Sequence, residues 1–156
     1  MKIEIYTDGS ALGNGQKNAS GGWGYIVLCN GEKKAGSGRE SNTTNQRQEM
    51  IAVISALDFV EKFYNPENFK DDIIIYTDSA YISNCWQDSW YKKWLYNGWM
   101  NAKKEPIANR DLWIYLIPWF DKPNFSIVKV KGHVGNHYNE LVDQLATGKI
   151  APESIT

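Results

Sequence analysis

Two segments far apart in the sequence end in nearly the same residues, and each of them supplies an aspartate. The segments are Tyr6-Thr7-Asp8-Gly9-Ser10 and Tyr76-Thr77-Asp78-Ser79, and each closes a run of apolar residues that is typical of a strand. If the two strands are parallel neighbours, Asp8 and Asp78 lie side by side at the carboxyl ends of the strands, where such sheets gather their ligand sites.

A pair of carboxylates in this position favours a divalent cation. Two like charges repel and raise each other's pKa unless a cation lies between them, and carboxylate oxygens are suitable ligands for Mg²⁺ or Mn²⁺. Each aspartate alone could instead be a turn residue or a helix N-cap, so both interpretations stay open here.

Three further residues could take part in chemistry, although each has an ordinary structural alternative. Glu49 and Asp143 fall in segments with helical spacing, where an acidic side chain commonly lies in solvent or favours the helix N-terminus. His133 lies in a glycine-flanked segment, between Gly132 and Gly135. A histidine in such a loop can move protons or assist product departure, or it can be an ordinary loop residue.

The elements that must position these residues follow from the hydrophobic pattern. Alternation and β-branched runs predict strands near 3–7, 23–29, 33–39, 73–77 and 125–130. Helical spacing predicts helices near 44–62, 109–120 and 139–147, with two more after Asp78-Ser79, the second of them rich in tryptophan. The order β-β-β-α-β-α-α-α-β-α predicts an α/β fold in which helices flank a mixed five-stranded sheet.

Composition narrows the class of protein. The 156 residues suit one domain over 1–156, and 42% hydrophobic with 22% charged residues excludes a disordered chain. A net charge of −1 excludes a surface that is positively charged throughout, so any surface that binds nucleic acid must be a local basic patch. Two cysteines without a C-x-x-C pair argue against a disulfide framework or a zinc site. With no signal peptide and no long apolar run, we expect a cytoplasmic protein that does not enter a membrane.

Five motifs, taken together and in order, resemble type I ribonuclease H of the compact bacterial kind. They are Thr7-Asp8-Gly9-Ser10, Thr44-Asn45-Gln46-Arg47-Gln48-Glu49, Thr77-Asp78-Ser79, Lys131-Gly132-His133, and Asn139-Glu140 followed by Asp143. The resemblance extends from Tyr6 to about Ala146. It implies a ribonuclease H-like fold, which agrees with the element order, and endonucleolytic cleavage of the RNA strand of an RNA–DNA hybrid.

The resemblance also implies a catalytic site. The family's catalytic positions correspond to Asp8, Glu49, Asp78 and Asp143, with His133 as an auxiliary residue. These four carboxylates are expected to hold two Mg²⁺ ions, with Mn²⁺ as a possible substitute. Asp8 is expected to bridge both ions, and the products are expected to carry 5′-phosphate and 3′-hydroxyl ends.

Residues that resemble the family's substrate contacts fall into two groups. Those near the cleaved strand and a DNA phosphate are Asn14, Thr44, Asn45, Gln46, Ser79 and Asn109. Those of a protrusion that follows the DNA backbone are Trp90, Lys92, Lys93, Trp94 and Trp99. We expect at least two of the tryptophans in this region to be structural. Leu95-Tyr96-Asn97 stands where the family often carries a basic cluster, which predicts modest and salt-sensitive affinity.

Other functions remain open. They are another nuclease of the same fold, a non-catalytic nucleic-acid binding module, and a phospho-acceptor signalling domain, which the three initial strands disfavour. The motifs begin within eight residues of Met1, so we expect no N-terminal hybrid-binding module. The expected partner is an RNA–DNA hybrid, and the expected oligomeric state is a monomer.

Overall fold

A computed structural model of the chain describes residues 2–12, 20–64, 71–131 and 136–155. Its strands are β1 (Lys2–Leu12), β2 (Ser20–Cys29), β3 (Glu32–Ser41), β4 (Asp72–Thr77) and β5 (Phe125–Lys129). Its helices are α1 (Asn45–Tyr64), α2 (Ala80–Gln87), α3 (Trp90–Asn97), α4 (Arg110–Phe120) and α5 (His137–Ala146), and a 3₁₀ turn follows at Pro152–Ser154. The predicted order of strands and helices is confirmed.

The described strands form one mixed sheet in the order β3-β2-β1-β4-β5. The first three strands pair antiparallel, with the turn at Asn30 and Gly31 in positive φ, whereas β4 is parallel to both β1 and β5. Tyr6 pairs with Tyr76 in the β1–β4 register. The two strands that carry the aspartate motifs are therefore parallel neighbours. The prediction that β1 ends before Asp8 is wrong, because β1 continues through Asp8 to Leu12 by pairing with β2, whereas β4 ends at Thr77.

One face of the sheet is covered by α1. The apolar residues that predicted this helix, Met50, Val53, Leu57 and Val60 among them, are buried in the main core. On the sheet they meet the alternate side chains of the central strands, including Ile5 and Ile75. Burial of each such side chain stabilises the fold by about 1.5–3 kcal/mol.

The opposite face is covered by α5. Val142 and Leu145 of this helix are buried in a second cluster with Ile26 of β2. The contact is close, because a Cβ added to Gly22 would lie 2.0 Å from the carbonyl oxygen of Ala146. The helix lies mainly over β1 and β2, and on this face of β4 the side chains of Ile74 and Tyr76 are half-buried.

Trp86, Trp90 and Trp94 are spaced four residues apart in the sequence but do not lie on one helix. Ser89, with a φ of 55°, adopts the left-handed conformation between α2 and α3 and separates Trp86 from the tryptophans that follow. Trp94 is only 8% exposed and Trp86 packs against the same core, so the expectation of at least two structural tryptophans is confirmed.

Among the described helices, none is both long and apolar enough to span a bilayer.

Candidate functional site

Three of the predicted carboxylates meet at the edge of the sheet where the pairing of β1 with β4 ends. Asp8, Glu49 and Asp78 each offer an oxygen atom, and these atoms all lie within 4.8 Å of one another. Asp143 lines the same open cleft, which has a volume of about 490 Å³. The other lining residues are Gly9, Ser10, Asn45, Gln46, Ser79, Ala80 and Tyr81. The structure therefore brings together four acidic residues that are widely separated in the sequence.

Glu49 is placed beside Asp8 by a close contact between β1 and the start of α1. A Cβ added to Gly9 would lie 2.3 Å from the carbonyl carbon of Gln48 and 2.4 Å from the nitrogen of Glu49. Only glycine allows this approach. The Ala11 N–H also donates to Asn45 Oδ1 at 2.6 Å, which fixes the end of the strand to the first residue of the helix.

The first turn of α1 is capped by its own side chains. Thr44 Oγ1 accepts a hydrogen bond from the Arg47 N–H at 3.1 Å, as an N-cap residue does. The Gln48 amide donates to Thr43 Oγ1 at 2.8 Å, and both residues are buried. Because these bonds fix the helix start, the position of Glu49 one residue later is set by the fold.

Asp78 is not the cap of the helix that follows it. Ser79 occupies the N-cap position of α2, and its hydroxyl accepts from the Ile82 N–H at 3.2 Å. Thr77 Oγ1 in turn accepts from the Ser79 N–H at 3.1 Å. The alternative that explained Asp78 as a helix cap is therefore wrong, and the carboxylate lies in the cleft instead.

Asp143 is presented by α5. Asn136 caps this helix, accepting from the Tyr138 and Asn139 N–H groups at 3.0 and 3.2 Å. The helix thus begins at His137, two residues before the predicted start, because the cap residue lies further upstream. Val142, next to Asp143, is buried against the sheet, and this packing sets the height of the carboxylate over the cleft.

The electrostatics of the cleft favour a cation. The pKa of Glu49 is raised well above its ordinary value, chiefly by burial and then by the negative charges of Asp8 and Asp78, while a backbone hydrogen bond from Gly9 partly opposes this. Glu49 Oε2 is buried and has no hydrogen-bond partner among the described residues. A divalent cation would supply both the missing ligand and the missing positive charge, so the residues present fit such an ion.

Several predicted residues lie on or near this cleft, and two cannot be placed. Asn45, Gln46 and Ser79 line it. His133 and Asn14 fall outside the described residues, so their roles stay predictions. Sequence reasoning did not single out Tyr81, which also lines the cleft; its position three residues after Asp78, in the first turn of a helix, was the available signal.

Arg47, for which no role was predicted, links Thr44 and Asn109, the two residues predicted to seat a DNA phosphate. Arg47 donates to Asn109 Oδ1 at 3.3 Å and pairs with Asp111 at 2.9 Å and with Glu40 at 3.3 Å. The hydrogen bonds and charge of Asp111 raise the pKa of Arg47, and those of Arg47 lower the pKa of Asp111. The network ties the start of α1 to the start of α4.

The predicted protrusion consists of α3 and the segment after it. Lys92 and Lys93 are exposed, whereas Trp90 and Trp99 are half-buried. Trp94 packs between Trp99 and Trp113, with ring centroids 5.7 and 5.5 Å away. Its ring therefore supports the protrusion from inside. The predicted contact of Trp94 with nucleic acid stays a prediction, and the burial of its side chain argues against it.

The amino-acid sequence is similar to those of known proteins. The family model for RNase H matches residues 1–151. A ribonuclease H from Syntrophomonas wolfei subsp. wolfei is 44% identical over 149 residues, which cover 96% of each chain.

Two solved structures share the fold. LC9-RNase H1, a type 1 RNase H with the type 2 active-site motif, superposes with a TM-score of 0.74 at 26% identity, over 99% of this chain and 74% of that one. The foamy viral protease-reverse transcriptase in complex with an RNA/DNA hybrid gives a TM-score of 0.72 at 26% identity, over 94% of this chain and 19% of that one.

Proposed function

The chain belongs to the RNase H family, and we propose that it is an endonuclease that hydrolyses the RNA strand of RNA–DNA hybrids. The observation that carries this proposal is the convergence of four carboxylates in one cleft at the end of the central strands. The viral structure solved with a bound hybrid shares this fold, which supports the choice of substrate.

We propose that the cleft holds two Mg²⁺ ions, which Mn²⁺ could replace. Asp8 would contribute to both, with Asp143 on one side and with Glu49 and Asp78 on the other. When bound, such a pair of ions neutralises the phosphodiester, activates water and stabilises the departing oxygen. The products would carry 5′-phosphate and 3′-hydroxyl ends.

The residues of the chain itself explain why a cation would be required. Without one, the charges of Asp8, Glu49 and Asp78 repel an anionic phosphodiester. Ser79 does not offer an alternative as a covalent nucleophile, because its hydroxyl accepts the N-cap hydrogen bond of α2. We assign His133 an auxiliary role in proton transfer or product release, so that its loss would reduce activity less than the loss of Asp8.

Recognition of the hybrid would use the cleft for the RNA strand and the protrusion for the DNA strand. Asn45 and Gln46 line one side, where amide groups can bond to the 2′-hydroxyl that distinguishes RNA from DNA; Asn14 would extend this contact. The DNA strand would lie along Lys92 and Lys93 of the protrusion, with one phosphate near Thr44 and Asn109. We propose that the protein acts as a monomer in the cytoplasm, where its two buried, free cysteines suit a reducing setting.

The test compares three labelled substrates in Mg²⁺: an RNA–DNA hybrid, duplex DNA and single-stranded RNA. We expect cleavage of the RNA strand of the hybrid only. Preferential cleavage of duplex DNA would instead identify another nuclease of the same fold.

Asp8→Asn keeps the size of the side chain and removes its charge, so it should fold normally and lose about a thousandfold or more in cleavage rate. Asp72→Asn, an exposed aspartate at the other end of the sheet, is the matched control and should cleave like wild type. Wild-type cleavage by Asp8→Asn would contradict the proposed site.

A further inference from the structure

Two stacked tyrosines precede the two aspartates of the cleft. Tyr6 and Tyr76 are register partners in the parallel pairing of β1 and β4. Their rings stack with centroids 4.6 Å apart and with planes 15° from parallel. Tyr6 lies two residues before Asp8, so the two side chains project from the same face of β1. Tyr76 likewise lies two residues before Asp78, which directly follows the last residue of β4.

A third tyrosine joins this stack from the helix that carries the fourth carboxylate. The ring of Tyr138, in the first turn of α5, lies 5.2 Å from the ring of Tyr6 and is tilted by 39°. These two ring contacts therefore join β1, β4 and α5, which are the three elements that place Asp8, Asp78 and Asp143.

We propose that Tyr138, resting on Tyr6, is a positioning residue that fixes Asp143 relative to Asp8. This inference rests on the proposed function, because it assigns the contact a role in holding the cation-binding carboxylates. Toward its C-terminal end, α5 is anchored by Val142 and Leu145 against the sheet. Toward its N-terminal end, α5 is held by the tyrosine contact and by Asn139, which is also buried.

The spacing along the helix explains why this anchor matters for Asp143. Tyr138 and Asp143 are five residues apart, or about 7.5 Å along the axis. A helix that is held by its C-terminal half alone can tilt, and the tilt moves Asp143 away from the other carboxylates. A displacement of about 1 Å in a reacting group can reduce a rate by about a hundredfold.

Substitutions of Tyr138 separate positioning from simple stability. Tyr138→Ala removes the ring and should lower kcat at least about tenfold, with KM for the hybrid changed less than about twofold. Tyr138→Leu keeps apolar volume but not the aromatic contact, and it should show the same split if the alanine variant does not fold. Tyr138→Phe keeps the ring and should restore kcat to within about twofold of wild type.

Leu141→Ala is the matched control, since Leu141 lies on the same helix and packs in the same cluster. It should lose stability comparably but retain its kcat. An equal fall of kcat in Leu141→Ala would show that any loosening of α5 has this effect, and it would overturn the assignment to Tyr138.

The decisive readout is the binding of Mg²⁺, measured by calorimetry with and without Asp143. Tyr138→Ala should weaken binding in the wild-type background and should have no further effect in Asp143→Asn, because both changes act through one carboxylate. Equal weakening in both backgrounds would overturn the inference. If wild type cleaves hybrids while Tyr138→Ala matches it in kcat and Mg²⁺ affinity, this inference fails alone; if wild type binds no Mg²⁺, the proposed function fails with it.

Discussion

At the scale of single residues, the cleft is defined by carboxylates that lie close enough together to repel one another. Burial and the charges of two neighbouring aspartates raise the pKa of Glu49. A side chain in this situation lowers the stability of the metal-free fold, and the proposed cation would offset this cost when bound.

The raised pKa of Glu49 predicts a pH-dependent change in stability. The folded state binds this proton more tightly than the unfolded state, so stability falls as the pH rises above the ordinary value of 4.5 and stays lower above the folded-state pKa. Glu49→Gln removes this effect. Without metal, the variant should be more stable than wild type at pH 7, and the difference should vanish below pH 4.5.

Chemical denaturation in a chelator at several pH values measures this difference. Glu61→Gln, on the same helix but exposed, is the control and should change stability little at any pH. Added Mg²⁺ should stabilise wild type more than Glu49→Gln, because the ion binds the ionised carboxylate. A wild type more stable than Glu49→Gln at pH 7 in the chelator would contradict this account.

The residues that could be predicted from the sequence are those whose motifs are local. Asp8, Glu49, Asp78 and Asp143 each lie in a short recognisable segment, and the structure brings all four to one cleft. The ion pairs of Arg47 could not be predicted in this way. Its partners Glu40 and Asp111 lie in other elements, and only the packing of α1 against α4 brings them into reach.

At the scale of elements, the cleft depends on how closely α1 approaches β1. Gly9→Ala should destabilise the protein by about 1–3 kcal/mol, because the added Cβ overlaps the backbone of Gln48 and Glu49 and must push the helix away. Hybrid cleavage should fall with it, since Glu49 moves with the helix. Thermal unfolding and a cleavage assay on the same sample check both effects.

Gly31→Ala provides the control for this substitution. An added Cβ at Gly31 meets nothing within 4 Å, and its φ of 77° alone should cost about 1 kcal/mol. Its cleavage activity should equal that of wild type. If Gly9→Ala were as stable and as active as Gly31→Ala, the close approach would not be what positions Glu49.

The protrusion gives a prediction about salt. Each lysine that contacts a phosphate adds about one unit to the slope of log affinity against log salt. Replacing Lys92 and Lys93 with alanine should therefore raise KM and reduce this slope by about two units. Lys62→Ala, at the other end of α1 from Glu49, is the control and should leave the slope unchanged. An unchanged slope in the double variant would show that these lysines do not contact phosphate.

The elements show where sequence reasoning reaches its limit. The boundaries of α1 and α4 were predicted to within two residues, because an apolar stripe and a cap mark them. The break between α2 and α3 was predicted only as two helices in succession. Its cause, the left-handed Ser89, has no sequence signal as strong as glycine, and it turns Trp94 into the core.

At the scale of the whole molecule, the order of strands and helices could be predicted from the sequence because the hydrophobic pattern changes its period along the chain. Three strands precede the first helical stripe, and α1 and α5 cover opposite sides of the sheet that these strands begin. The tyrosine stack was not readable, since it depends on the register of β1 against β4 and on the docking of α5.

The net charge of −1 bears on how the protein would attract an RNA–DNA hybrid. In the proposed function, attraction to a polyanion would come from local features, the lysines of the protrusion and the cations proposed for the cleft, and not from an overall field. Binding of the hybrid should therefore weaken when divalent ions are removed as well as when salt is raised.

The most direct test of the central claim is a Mg²⁺ titration of the metal-free protein by calorimetry, on wild type and on Asp8→Asn, Glu49→Gln, Asp78→Asn and Asp143→Asn. We expect wild type to bind Mg²⁺, each of the four variants to bind at least about tenfold more weakly, and the control Glu61→Gln to bind like wild type. Unchanged Mg²⁺ affinity in the four variants would contradict the claim that these side chains, brought together from four elements, form one cation site.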